Sequence, residues 1–287
     1  MTPTVHLIDA SPYLFRAFFS VPRSVPSNAV YGFTSFVAKY IADARPTHIA
    51  VAFDRHFNQS FRNDTYAPYK AHRDASPPEL DAQVDPALEV IEALGVKTFI
   101  DERYEADDII ATIIDRVRTQ WGGGASPPRF VIVTSDKDMT QLVCDRVVVV
   151  DPARGLRFDA AAVEAKFGVR PDQITDLLAL AGDPVDNIPG VRGVGPKTAA
   201  ELLRRYGSLE GIYANVPQMK GSVKTKLTND VALAGLSKRL ATVSIDAPIE
   251  VTFDALRYRG LDDARIAALF ARLGFNTLRE RVTSLTR

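Results

Sequence analysis

Ile49-Ala50-Val51-Ala52-Phe53-Asp54 decides the fold. Five apolar residues run without a polar break and end on a carboxylate. A run apolar at every position, instead of at alternate ones, marks a strand buried on both faces. Two further runs end the same way: Val5-His6-Leu7-Ile8 before Asp9, and Phe130-Val131-Ile132-Val133-Thr134-Ser135 before Asp136. Segments 96–100 and 147–150 read as additional strands. Helical periodicity fills the intervals at about 30–44, 79–94 and 105–120. This alternation predicts a largely parallel α/β sheet with helices on both faces. In such sheets, sites gather at the carboxyl ends of strands. The acids that end these runs are therefore expected to converge.

Beyond about residue 158 the strand-like runs mostly stop. Helices are expected at 159–167, 173–181, 196–206, 208–214, 222–241 and 262–273. Ile249, Val251 and Phe253 alternate with polar neighbours and read as one short strand. The expected division is an α/β domain over 1–172 and a helical subdomain over 173–287. Residues 122–128, Gly-Gly-Gly-Ala-Ser-Pro-Pro, read as a surface loop.

The 287 residues carry 35 Lys and Arg against 35 Asp and Glu, so net charge is zero. That balance argues weakly against a nucleic-acid binder, which is often basic. The objection weakens if acids cluster in one place and basic residues elsewhere. The single cysteine, Cys144, rules out an internal disulfide and reads as a small buried hydrophobe. Four histidines lack ligand spacing, which argues against zinc. With no signal peptide and no apolar run near 18 residues, a cytoplasmic setting is expected.

Nine carboxylates stand out: Asp9, Asp54, Glu105, Asp107, Asp108, Asp136, Asp138, Asp183 and Asp186. Glu105 and Asp108 share a helix face with Thr112, and Asp107 points about a quarter turn away. Acids in a first helical turn also cap the helix and complement its dipole. Asp136 reads equally as an N-cap with Asp138 solvated. Coincidence across five segments favours a site. Packed carboxylates resist ionising together unless a cation compensates, and oxygen-only sites suit Mg²⁺ or Mn²⁺. Two such ions roughly 4 Å apart support phosphodiester hydrolysis.

Gly190-Val191-Arg192-Gly193-Val194-Gly195-Pro196-Lys197-Thr198 reads as a glycine turn opening a helix. Amides at a helix start hold phosphate, and Pro196 suits the first helical position. An ordinary glycine-rich loop is the plainer reading. The stretch from Arg62 to Arg73 mixes Tyr66 and Tyr69 with Lys70, His72 and Arg73, types that stack on bases and hold phosphates. A solvated loop is its alternative. Lys220, Lys224 and Lys226 read as a solvated helix face.

Together these segments resemble the 5′-nuclease family. That family includes the 5′→3′ exonuclease domain of bacterial type I DNA polymerases, phage 5′-exonucleases and flap endonucleases. The most specific are Asn28-Ala29-Val30-Tyr31-Gly32-Phe33, Val51-Ala52-Phe53-Asp54, Tyr69-Lys70-Ala71-His72-Arg73, Tyr104-Glu105-Ala106-Asp107-Asp108, Thr134-Ser135-Asp136-Lys137-Asp138, and Gly182-Asp183 through Thr198. The resemblance implies a PIN-like α/β fold with a helix–hairpin–helix-type motif. It implies one metal group of Asp9, Asp54, Glu105, Asp107, Asp108 and Asp136, and a second of Asp138, Asp183 and Asp186. Mg²⁺ or Mn²⁺ would fill them, with two or more ions per site. Tyr69, Lys70 and Arg73 would belong to a mobile arch at about 62–85 that passes a 5′ strand. Arg16 matches a basic residue of the substrate pocket. Tyr66, Gly190, Gly193, Gly195, Lys197 and Thr198 would contact DNA, with K⁺ on hairpin carbonyls. The implied protein is a monomer acting on DNA with 5′ flaps, overhangs or nicks, in primer removal or repair. It is either a stand-alone nuclease or an excised polymerase domain. Two other readings stay open: a flap-binding protein with little catalysis, and an endoribonuclease on a similar acidic sheet.

Overall fold

A computed structural model of the protein describes residues 2–122, 126–275 and 277–286. Residues 123–125 of the expected glycine loop lie outside them. The chain forms two compact units. One holds Met1–Ser60, Ala75–Ser135 and Ser244–Arg287; the other holds Phe61–Asp74 and Asp136–Val243. They are interleaved in sequence.

The first unit is built on four parallel strands. They are β1 (Thr4–Asp9), β2 (His48–Asp54), β3 (Lys97–Asp101) and β4 (Arg129–Val133), in the order β3-β2-β1-β4. The chain runs outward from β1 through β2 to β3, then crosses back to place β4 on the other side of β1, so the strand order reverses between β1 and β4. The carboxyl end of β1 is therefore a topological switch point, where open α/β sheets place their sites. Ile49, Val51 and Phe53 of β2 are fully buried, as the unbroken apolar run requires. The helix Asn28–Ala44 buries Val30, Phe33, Val37 and Ile41 at helical spacing. The helix Ala106–Thr119 does the same with Ile109, Ile110, Ile113, Ile114 and Val117. Each fully buried side chain of this size stabilises by about 1.5–3 kcal/mol.

Two helices of this unit are not expected from sequence, Ser11–Ser20 and Leu278–Thr286. The first is short, has Pro12 in its opening turn, and leaves Phe19 66% exposed, which breaks its apolar stripe. The short strand expected around Ile249, Val251 and Phe253 does not form. Its chain belongs to no strand, and side chains satisfy the neighbouring backbone. Ser244 N donates to Asp108 Oδ1 (2.7 Å), Ala247 N to Thr112 Oγ1 (3.1 Å), and Arg116 Nη2 to the Ala247 carbonyl (2.9 Å).

His6, on β1, hydrogen-bonds through Nδ1 to the Tyr40 hydroxyl at 2.6 Å. Burial lowers the imidazole from its ordinary 6.5 to about 4 and raises the Tyr40 phenol above its usual range. The unfolded chain therefore takes up a proton near pH 6.5 that the folded chain refuses until about pH 4. Stability is full above pH 6.5 and falls between those values, by up to about 3 kcal/mol from this group. Urea titrations from pH 7 to 4 should show the wild type losing more stability than His6→Gln, because the raised Asp138 acts in the opposite direction in both proteins. An identical slope in both proteins would refute the assignment.

The second unit pairs β5 (Val147–Asp151) antiparallel with β6 (Leu156–Phe158), the latter unexpected from sequence. Its longer helices are Ala160–Phe167, Ile174–Ala181, Pro196–Tyr206, Leu209–Asn215, Gly221–Asn229 and Val231–Ala241. The single helix expected at 222–241 breaks at Asp230, whose backbone (φ −114°, ψ 24°) leaves the helical region. Cys144 is exposed, not buried. It opens a tight turn in which Cys144 and Val147 exchange backbone hydrogen bonds, and that turn lies at the surface. Among the described residues no helix is long and apolar enough to cross a membrane.

Candidate active site

In the first unit, Asp9 ends β1 and Asp54 ends β2. Ser11 joins them. Its Oγ donates to Asp54 Oδ2 at 2.5 Å, and its backbone N–H donates to Asp9 Oδ1 at 3.1 Å. The other Asp9 oxygen accepts from Thr134 Oγ1 at 2.7 Å. The other Asp54 oxygen accepts from Ala106 N at 2.6 Å, which ties β2 to the start of the helix that follows β3. Both acids thus face the carboxyl edge of the sheet. Sequence reasoning missed Ser11 and Thr134. Their only signal is position, each within two residues of a strand-end acid or strand end.

Glu105 and Asp108 form a reciprocal capping box on the helix Ala106–Thr119. Asp108 is fully buried, and Oδ2 accepts from Glu105 N (3.2 Å) while Oδ1 accepts from Ser244 N. The capping reading of this pair is therefore realised. Asp107 is half-buried in the same first turn. Arg16 is exposed on the helix Ser11–Ser20.

The second unit brings together Asp136, Asp138, Asp183 and Asp186 with the chain's own cations. Lys137 Nζ bridges Asp183 Oδ2 (2.5 Å) and Asp138 Oδ1 (3.1 Å). Arg73 pairs with Asp186, and Lys70 Nζ lies 3.8 Å from the same carboxylate. The Tyr69 hydroxyl donates to Asp186 at 3.2 Å, and Lys70 N donates to the Asp186 carbonyl at 3.0 Å. Tyr69 and Lys70 are buried, and Lys70 adopts a left-handed backbone, φ 52°. Tyr66 is half-buried and His72 exposed. Asp183 and Ile188 exchange backbone hydrogen bonds across a tight turn that carries Asp186.

Electrostatics follow from this crowding. Burial raises Asp136, and Asp186 adds to the rise; the backbone N–H of Asp138, with Lys70 and Lys137, opposes it. Burial, then Asp136, push Asp138 up to about 7 despite Lys137. Burial alone would lower the Lys137 ammonium, but Asp138 and Asp183 outweigh it and hold it above its ordinary value. Among the described residues no three His, Cys, Asp or Glu side chains are already arranged to hold a metal ion. Their oxygens are engaged instead by N–H and O–H groups, Lys137, Lys70 and Arg73. An all-oxygen donor set that attracts ammonium and guanidinium groups has the chemistry a hard divalent cation requires.

The glycine turn leads into the helix Pro196–Tyr206, as expected. Gly190 (φ 64°) is pressed so close to Gly182 that a Cβ would lie 2.3 Å from its nitrogen. Asp230, the residue that breaks the helix, reaches back to hold this turn. It accepts from Arg192 N at 2.9 Å and from the Arg192 guanidinium, which keeps its carboxyl below the usual range. Lys226 Nζ donates to the Gly193 carbonyl at 2.8 Å, so this lysine is a turn anchor and not part of a solvated face. Lys197 is exposed and Thr198 half-buried at the helix start.

The first unit thus sets acids at the carboxyl edge of a parallel sheet, and the second carries a cation-bridged group of acids and a clamped glycine turn. Residues 4–168 match the N-terminal resolvase-like domain of 5′-3′ exonucleases, and residues 169–264 match their C-terminal SAM fold. The chain belongs to the 5′-3′ exonuclease family. DNA polymerase I of Mycobacterium leprae is 40% identical over 98% of this chain, and that of Bacillus caldotenax 38% identical over 97%. The chain spans only 31% and 32% of those relatives' lengths. Among solved structures, a zinc-bound 5′-exonuclease of T5 superposes with a TM-score of 0.73 at 20% identity, covering 93% of this chain and 98% of that one. The catalytic core of Rad2 in complex with DNA substrate gives 0.62 at 14%, covering 99% and 91%. These likenesses show the shared fold.

Proposed function

We propose that this 5′-nuclease cleaves DNA bearing 5′ flaps, overhangs or nicks, with Mg²⁺ or Mn²⁺, in replication or repair. The observation that carries the reading is the occupation of the acids by the chain's own cations, above all Lys137 across Asp138 and Asp183. Crowded carboxylates kept together by ammonium and guanidinium groups are poised to exchange them for metal. Asp9, Asp54, Glu105 and Asp107 of the first unit would hold metal, as would Asp136, Asp138, Asp183 and Asp186 of the second. Bound divalent ions supply an activated water and stabilise the leaving oxygen. Asp108, with both oxygens on backbone N–H groups, serves to set Glu105. Lys70 and Arg73 touch the 5′ strand near the cleaved phosphate, Tyr69 orients Lys70, Tyr66 stacks on a base, and Arg16 lines the substrate pocket. Lys197, Thr198 and the backbone around Gly190, Gly193 and Gly195 grip duplex phosphates. K⁺ on a hairpin carbonyl would share with Lys226 the Gly193 oxygen that this lysine already holds.

An end-labelled flap duplex, incubated with Mg²⁺ and with chelator, tests the reading. Cleavage near the flap base is expected only with Mg²⁺. Tight binding without metal-dependent turnover would favour a flap-binding protein, and cleavage of RNA alone an endoribonuclease. Millimolar Mg²⁺ should also raise the melting temperature, since a cation that binds only the folded state stabilises it by mass action. That gain should shrink in Asp136→Asn. A melting temperature indifferent to saturating Mg²⁺ would count against a preformed acid group.

A further inference from the structure

The first unit carries a second charged feature, at the end of the sheet away from the acids. A cleft of about 290 Å³ is lined by Lys97, Arg257, Arg259 and Arg265, with Glu92 and the Gly95 backbone. Lys97 opens β3, the edge strand, whereas Asp9 and Asp54 close β1 and β2. The strands are parallel, so the length of one strand, about 13 Å, separates the two ends.

The frame of the cleft is fixed by backbone bonds. Tyr258 N donates to the Thr47 carbonyl (2.9 Å), Arg259 N to Gly95 (3.2 Å) and Asp262 N to Ala93 (2.9 Å). Gly95 (φ 78°) meets Gly260 so closely that a Cβ there would lie 2.0 Å from the Gly260 oxygen. The segment bearing Arg257 and Arg259 is thus locked against the turn that leads into Lys97. Two of the four cations are matched: Arg265 pairs with Glu92 (2.9 Å) and Arg257 with Asp254 (3.1 Å). Lys97 and Arg259 are exposed, and among the described residues no ion pair engages either. Two positive charges therefore remain over on a rigid, concave surface. Guanidinium forks combined with an ammonium point charge suit a tetrahedral anion with several acceptor oxygens.

We propose that this cleft binds a phosphate group, carried either by a free nucleotide or by a nucleic-acid backbone, at a site separate from the acids. The test is a titration of the ¹⁵N-labelled full chain in chelator, where no turnover occurs. One arm uses deoxyadenosine monophosphate, and the other a short oligothymidylate with hydroxyl ends. Saturable shifts are expected at the amides of Gly95, Lys97 and Arg259. Lys97→Ala combined with Arg259→Ala should weaken that response at least about ten-fold, the equivalent of one charge-assisted hydrogen bond. Arg259→Lys should lose less. A response to the nucleotide alone identifies a terminal phosphate as the ligand; a response to the oligonucleotide alone identifies the backbone. No saturable shift in either arm, or shifts unchanged in the double variant, would overturn the proposal. Because metal is absent, that failure would leave metal-dependent cleavage untouched.

Discussion

Replacing Asp136 by Asn is expected to lower flap cleavage about a thousandfold or more at saturating DNA, with affinity for the flap kept or increased. Asn preserves the acceptor that receives the Asp138 N–H at 2.8 Å, so the local turn survives. What it removes is a charge that Asp186 opposes and that Lys70 and Lys137 support. A metal ligand is lost, and a negative group is taken away from a surface that meets phosphates. Rate and binding therefore move apart. Asp107→Asn should behave alike, because its half-buried place in a first helical turn costs the helix only about 0.3–1 kcal/mol when neutralised. Single-turnover rates and flap affinities in chelator separate the two effects. Near-normal turnover in both variants would remove these acids from the chemistry.

Lys70→Ala and Arg73→Ala are expected to cut the saturating rate about a hundredfold each, the usual cost of one electrostatic contact to a developing charge. Lys70 needs a control, because its left-handed backbone (φ 52°) is strained for any residue with a Cβ. Lys70→Gly relieves that strain while still removing the cation, so a matching loss in both variants assigns the effect to charge. Lys197→Ala should do the reverse. Its exposed ammonium at a helix start meets phosphates without regard to sequence. Duplex affinity should fall and its salt slope flatten by about one unit, with the saturating rate preserved. If Lys197→Ala lowers the saturating rate while Lys70→Gly changes only affinity, the two contacts have been assigned the wrong way round.

The acids at strand ends were legible because burial on both faces writes an unbroken apolar run, and a terminal carboxylate interrupts it conspicuously. The helices with clean spacing, such as Ala106–Thr119, were legible for the same reason. What escaped depends on partners distant in the chain. Ser11 joins Asp9 to Asp54 only after β1 and β2 have paired. Lys137 reads as one more surface lysine until Asp183, 46 residues away, meets it. The break at Asp230 coincides with its pairing to Arg192, 38 residues away, a contact that no local pattern shows. The missing strand near Val251 failed for a related reason: Asp108, Thr112 and Arg116 satisfy the neighbouring backbone from the side. Cys144 was misread because its neighbours are apolar while its turn is not.

The interleaving of the two units has a consequence for synthesis on the ribosome. Once Ser135 has been made, the first unit holds its four parallel strands but lacks everything from Ser244 onward. The buried carboxylate of Asp108 and the hydroxyl of Thr112 then wait for the backbone groups of Ser244 and Ala247. The roughly hundred intervening residues take on the order of ten seconds to translate. During that interval the nascent sheet is an incomplete body, while the second unit, already supplied with Phe61–Asp74, can close first. Vectorial emergence is therefore expected to let the later-encoded unit close before the amino-terminal one is complete, an order that protease protection of ribosome-stalled chains ending near residue 243 would check.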